Sequence, residues 1–262
     1  STGGGGGVSA RPGAGVREEG GARAGAVGWT HLGRGAHVGY WPAALHAARA
    51  RALMDALASC AAWEQRDVRM FGRAVPQPRL VAYYADDPHR LGTLTYSGLT
   101  LSPHSSTDLP TLREAQAAVE AAAGLPQCTF NTVLLNLYRD GRDHVGWHAD
   151  DEALYGPHPL IGSLSLGEAR EFVIRSNTDH NVQRSFQLGH GDVLVMRGTM
   201  QSHWQHRVTR RPTQLLGPRV NLTFRTVVQP DDGGRGRQEE SAVHRPRRRR
   251  KGDVGAGGGD QF

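Results

Sequence analysis

The residues best suited to chemistry lie mid-chain, where His148 and Asp150 stand two apart after the run Asn136-x-Tyr138. In an extended segment, side chains two apart leave on the same side. One neutral imidazole and one carboxylate can therefore grip a single metal ion. A distant second histidine would complete a facial set that holds Fe(II) and leaves positions open for a co-substrate and oxygen. The stretch Gln201-Ser-His203-Trp204-Gln-His206 offers two candidates, His203 and His206, with Trp204 between them. His-x-Asp alone says little in a chain with 13 histidines, so the reading depends on its surroundings.

Next comes Arg219-Val-Asn221-Leu-Thr223-Phe-Arg225. Strand alternation places Arg219, Asn221, Thr223 and Arg225 on one face and Val220, Leu222 and Phe224 on the other. The apolar face can pack while the other presents two guanidiniums with an amide and a hydroxyl between them. Arginine forks match carboxylates bidentately, so a dicarboxylic co-substrate is the natural ligand. Standing alone, the segment would read as an amphipathic strand with solvent-facing arginines.

In order, Asn136-x-Tyr138, His148-x-Asp150, His206 and Arg219-x-Asn221-x-Thr223-x-Arg225 resemble the AlkB-like Fe(II)- and 2-oxoglutarate-dependent dioxygenases, over about Trp63 to Val228. The resemblance implies His148, Asp150 and His206 as the iron ligands and catalytic centre, and it favours His206 over His203. Arg219 would pair with the distal carboxylate of 2-oxoglutarate and Arg225 would sit near its metal-proximal end. Asn136, Tyr138 and Asn221 would complete the co-substrate site, and O2 is the third reactant. The implied activity is oxidative removal of alkyl groups from bases such as 1-methyladenine and 3-methylcytosine in DNA, with release of succinate, CO2 and formaldehyde.

Three further residues follow from the same resemblance. Met70-Phe71-Gly72-Arg73 resembles a duplex-acting branch, in which an aromatic enters the stack left by an extruded base; a core role for Phe71 is the alternative. Thr95 to Leu99 resembles the family's lid, so Tyr96 would stack on that base, unless it is simply a strand aromatic. Glu152 would reach the base, where a carboxylate favours cationic lesions; the competing reading is a solvated acidic turn. Trp147 differs between branches and points away from the duplex reading, which leaves strand preference open. Alkylated DNA, single- or double-stranded, is the expected partner of a monomer. RNA is the alternative substrate, and a catalytically silent nucleic-acid-binding module is the rival class.

The elements that must position these residues are mostly short strands. Periodicity places them at Leu80–Tyr84, Thr132–Tyr138, Leu160–Leu166, Glu171–Arg175, Val193–Met196 and Arg219–Val228. Helices are expected from about Pro42 to Trp63 and from Thr111 to Ala123, the second stopped by Gly124 and Pro126. The expected fold is α+β, mainly β: a double-stranded β-helix (jelly-roll) core with N-terminal helices packed on one sheet. Residues 1–37 and 231–262 are too poor in large apolar side chains to offset ordering entropy and read as disordered, leaving 38–230 as the dioxygenase domain.

The formal net charge is +6, and Arg245, Arg247, Arg248, Arg249, Arg250 and Lys251 concentrate positive charge in the tail. Such a run suits phosphate attraction or delivery to the nucleus. Lys251 is the only lysine, so arginine abundance by itself argues little. Two cysteines make neither a disulfide framework nor a zinc site. No apolar run approaches the ~20 residues that span a bilayer, no signal-peptide pattern is read at the start, and no membrane partner is expected.

Overall fold

The alternating patterns along Thr132–Tyr138 and Arg219–Arg225 become neighbouring inner strands in the computed structural model, which describes residues 27–59, 62–70, 73–96 and 99–228. They belong to an eight-stranded sheet. Its order is β1 (Gly28–His31), β2 (Ala36–Trp41), β14 (Val193–Gly198), β11 (Ile161–Gly167), β16 (Arg219–Arg225), β9 (Thr132–Tyr138), β5 (Leu80–Ala85) and β8 (His104–Ser105). Neighbours pair antiparallel, except β5 with β8. A smaller sheet has the order β10 (Val145–His148), β15 (Trp204–Val208), β12 (Arg170–Ser176) and β13 (Gln183–Leu188). Two hairpins stand apart from these sheets, β3 (Asp67–Met70) with β4 (Arg73–Pro76), and β6 (Leu94–Tyr96) with β7 (Leu99–Leu101).

The two larger sheets share an apolar core. Ile161, Leu194 and Met196 from one meet Phe172, Ile174, Phe186 and Leu188 from the other. This is the jelly-roll arrangement. The opposite face of the large sheet is covered by α1 (Ala47–Ala58) and α3 (Thr111–Ala123), while α2 (Pro88–Leu91) and α4 (Met200–His203) are single turns. Leu53 and Leu57 of α1, and Leu112, Ala115 and Val119 of α3, pack with Leu164, Leu166, Val193, Val220 and Leu222. Gly162 permits this approach, since a Cβ there would stand 2.6 Å from Val119 Cγ1 and 2.9 Å from the Phe130 ring. Gly124 ends α3 in the left-handed conformation, φ 64°, and donates its N–H back to Glu120 and Ala121.

Several boundaries differ from the sequence-based expectations. Ordered structure begins before residue 38: β1 and β2 extend the large sheet, and Trp29 and Trp41 meet edge to face, 5.3 Å apart, against the helix-side core. Two large aromatics supply there what the small neighbouring side chains lack. The first helix starts at Ala47 rather than Pro42 because Ala43 takes φ 49° and donates its N–H to Asp192 Oδ1 at 2.8 Å, which holds the chain off a helical path. Its buried face is Ala50, Leu53 and Leu57. β13 and β15 were not expected, because Gln183–Leu188 and Trp204–Val208 are largely polar. Residues 1–26 and the expected tail at 231–262 lie outside the described residues.

Candidate metal and co-substrate site

Alternation along β9 and β16 sends Leu134, Asn136, Tyr138, Arg219, Asn221, Thr223 and Arg225 away from the helices and into a cavity of about 660 Å³ between the sheets. His148, Asp150, Glu152 and His206 line the same cavity. The pairing of β10 with β15 sets His148 directly opposite His206, with ring centres 4.1 Å apart. Asp150 follows two residues later. The ligand atoms of these three side chains all lie within 4.8 Å of one another, the one such cluster among the described residues. His203 sits in α4 and takes no part in it.

The protonation states suit a cation. His148 Nδ1 lies 2.9 Å from the Gly146 carbonyl oxygen. A carbonyl can only accept, so Nδ1 carries a hydrogen, and Nε2 is the ring nitrogen nearer Asp150 Oδ1, at 3.8 Å. Burial, and then the neighbouring His148, push His206 down to about 3, which keeps it neutral, with Nε2 3.9 Å from Asp150 Oδ2. Burial alone would raise the Asp150 carboxyl, but Arg225 and the two histidines outweigh it and hold the group well below the usual carboxylate range. Two imidazoles and one carboxylate are the donor set that fits Fe(II) with positions left open.

Behind this cluster, Arg219 is buried to 1% exposure. Its Nη2 donates to Ser165 Oγ at 2.9 Å, and the Tyr138 ring centre lies 5.2 Å from its guanidinium carbon. Nε and Nη1 have no partner. Burial pulls its pKa down to about 10. An unpaired buried guanidinium is costly, so this end of the cavity is built for an anion. Asn136 Oδ1 accepts from Arg79 Nε at 2.9 Å. Asn221 is committed within the protein: its Nδ2 donates to Ser163 Oγ at 2.7 Å and to Leu164 O at 3.1 Å, while Oδ1 accepts from Thr223. Arg225 spends one donor on Asp150, and its Nε is buried without a partner.

Glu152 lines the cavity with Oε2 buried and unpartnered, and burial followed by the charge of Asp150 holds its carboxyl above the usual range. Tyr96 ends β6; the roles expected for its side chain and for Phe71 lie outside the described residues. Sequence reasoning passed over two further positioning groups. Gln201 Oε1 accepts the Asp150 backbone N–H at 3.0 Å, tying α4 to the metal-ligand segment. Arg170, 1% exposed, donates to the carbonyls of Asp140, Asp143 and Thr209, which ties the turn before β10 to the end of β15. The abundance of arginine hid Arg170. For the serines that hold Arg219 and Asn221, the alternation Ser163-Leu-Ser165 beside glycines was an available signal.

Comparison with known proteins adds a family. The model of the 2OG-Fe(II) oxygenase superfamily matches residues 37–225. DNA oxidative demethylase ALKBH2 of Arabidopsis thaliana is 38% identical over 188 residues, 63% of this chain and 58% of that protein. Alpha-ketoglutarate-dependent dioxygenase alkB homolog 3 of Homo sapiens is 40% identical over 190 residues, 70% of this chain and 63% of that protein. DNA oxidative demethylase ALKBH2 of Homo sapiens is 39% identical over 168 residues, 62% of this chain and 61% of that protein. The matches thus span about three fifths of each relative's length.

Proposed function

The chain belongs to the 2OG-Fe(II) oxygenase superfamily and resembles its AlkB-like members, and on that premise we propose that it removes alkyl groups from nucleic-acid bases by oxidation, with DNA as the substrate. The observation that carries the chemistry is the placement of His148, Asp150 and His206 in one cavity with Arg219, whose Nε and Nη1 await an anion. The names of the relatives, and a carboxylate at Glu152 suited to a cationic methylated base, support the substrate class.

His148, Asp150 and His206 would hold Fe(II). With 2-oxoglutarate and O2, the bound metal would supply an oxidation in which the co-substrate loses CO2 and gains one oxygen atom to become succinate, the other oxygen atom enters the N-alkyl C–H bond, and the hydroxyalkyl group leaves as an aldehyde with its hydroxyl proton passing to the base nitrogen. Arg219 takes the distal carboxylate of 2-oxoglutarate through its unused donors, beside Tyr138. Asn221, already held by Ser163, buttresses that wall rather than reaching the ligand. Arg225 keeps Asp150 ionised and offers Nε toward the cavity. Asn136 is oriented by Arg79. Glu152 faces the base, and Phe71 and Tyr96 are proposed to meet it from the wedge and the lid.

The test is reconstitution of the full chain with Fe(II), then addition of 2-oxoglutarate, air and oligonucleotides carrying 1-methyladenine or 3-methylcytosine as single-stranded DNA, duplex DNA and RNA. Mass spectrometry should show loss of the methyl group, with formaldehyde and succinate formed, in a reaction that needs both iron and 2-oxoglutarate. Succinate without demethylation of any oligonucleotide would overturn the substrate class. Bound iron with no succinate would overturn the enzyme reading.

A further inference from the structure

Trp147 neighbours a metal ligand yet does a different job. In β12 and β15, Ile174 and His206 face the interior, so alternation turns Arg175, Gln205 and Arg207 to the outer face of the small sheet. The guanidinium carbons of Arg175 and Arg207 stand over the Trp147 ring, 4.1 and 4.4 Å from its centre. At stacking range of two guanidiniums, the indole is taken, and a base could stack there only by displacing one. Trp147 lines the cavity, whereas neither arginine does. Through Trp147 the two positive charges therefore stand one ring away from the cavity.

Among the described residues, neither charge has a counter-ion. Arg175 spends Nε and Nη2 on Gln205 Oε1, at 3.1 and 2.7 Å, a neutral acceptor. Arg207 Nε is buried without a partner. Among the described residues, no carboxylate lies within ion-pair distance of either. Two like charges gathered on one ring repel each other unless an anion lies against them.

We propose that Arg175 and Arg207, stacked on Trp147, form a phosphate-binding surface that grips the backbone of the DNA strand whose base enters the cavity. The inference rests on the base-dealkylation reading above. A base extruded into a pocket leaves its sugar and phosphates outside it, and these charges stand one ring beyond the cavity lining. Contacts of this kind set position and orientation without reading sequence. Trp147 serves as the spacer that places the charges and is not a platform for bases.

The experiment measures binding of a labelled single-stranded DNA carrying one 3-methylcytosine, by fluorescence anisotropy across a salt series. The full chain is loaded with Fe(II) and 2-oxoglutarate without oxygen, so that nothing turns over. The double variant Arg175→Gln/Arg207→Gln should bind about tenfold more weakly at low salt. Its slope of log affinity against log salt should flatten by about 1.4, since each single-strand phosphate contact contributes about 0.7. Arg175→Lys/Arg207→Lys, which keeps both charges, should recover the slope. Arg184→Gln, the loss of one charge at an exposed position of β13, should leave it unchanged. A double Gln variant with the wild-type slope overturns the surface, as does an equal flattening by Arg184→Gln. Demethylation by the wild type together with an unchanged slope removes this surface alone. A flattened slope for a wild type that demethylates nothing keeps the surface and removes the repair reading.

Discussion

Arg225 and Asp150 form a buried ion pair in which Nη2 donates to Oδ2 at 2.7 Å, joining the large sheet to the segment just after β10. The same carboxylate faces His148 and His206 through its two oxygens. The arginine therefore governs the charge of the ligand carboxylate before any metal arrives.

Replacing Arg225 by Met should leave Asp150 buried and unpaired, at a cost of about 3–5 kcal/mol in urea unfolding of the metal-free protein. The pH dependence has a definite sign. The folded carboxyl lies below its unfolded value, so its contribution is present above about pH 3.9 and is lost as pH falls through the folded value. In the variant that loss should begin at a higher pH, and so should the fall in metal affinity. An unchanged pH profile would show that the pair does not control Asp150.

Arg219→Met should have opposite effects on the empty and loaded protein. Removing an unpaired buried charge should raise the melting temperature without 2-oxoglutarate. The apparent KM for 2-oxoglutarate should rise by about 10²-fold, the scale of one lost buried charge pair. The thermal shift that 2-oxoglutarate gives the wild type should vanish. A variant that still shows this shift would move the carboxylate site away from Arg219.

Gln201→Leu orphans the Asp150 backbone N–H in a buried setting. The expected stability loss is about 1–3 kcal/mol, with metal affinity about tenfold weaker. Cobalt(II) titration followed by visible absorption measures the second effect directly. A stability loss with wild-type cobalt affinity and spectrum would limit Gln201 to packing.

Gly162→Val should force α3 away from β11, because the new side chain meets Val119 and Phe130. Overpacking of this kind costs about 1–3 kcal/mol or more. Chemical denaturation would register it, and wild-type stability would mean that α3 is free to shift.

The chemistry was legible because it is written in short-range spacing. Arg219-x-Asn221-x-Thr223-x-Arg225 puts its polar groups on one side of a strand by alternation alone, and His148-x-Asp150 spans the end of β10 and the segment just after it. The apolar partners Val220, Leu222 and Phe224 then face the helices, as strand period requires. α3 was equally legible, since its buried positions and its terminal glycine are all local.

Tertiary structure decided whatever depends on residues far apart in the chain. His206 rather than His203 joins the metal cluster because β15 pairs with β10 in one register. Pro42 to His46 stays out of α1 because Asp192, about 150 positions away, takes the Ala43 N–H. Trp29 finds Trp41 and the core only once β1 and β2 join the sheet. Arg170, Arg175, Arg207 and Arg219 are the same residue in sequence, and burial and neighbours give them different work. Local spacing names the groups that can react; long-range pairing sets which of them meet and which charges are left without a partner.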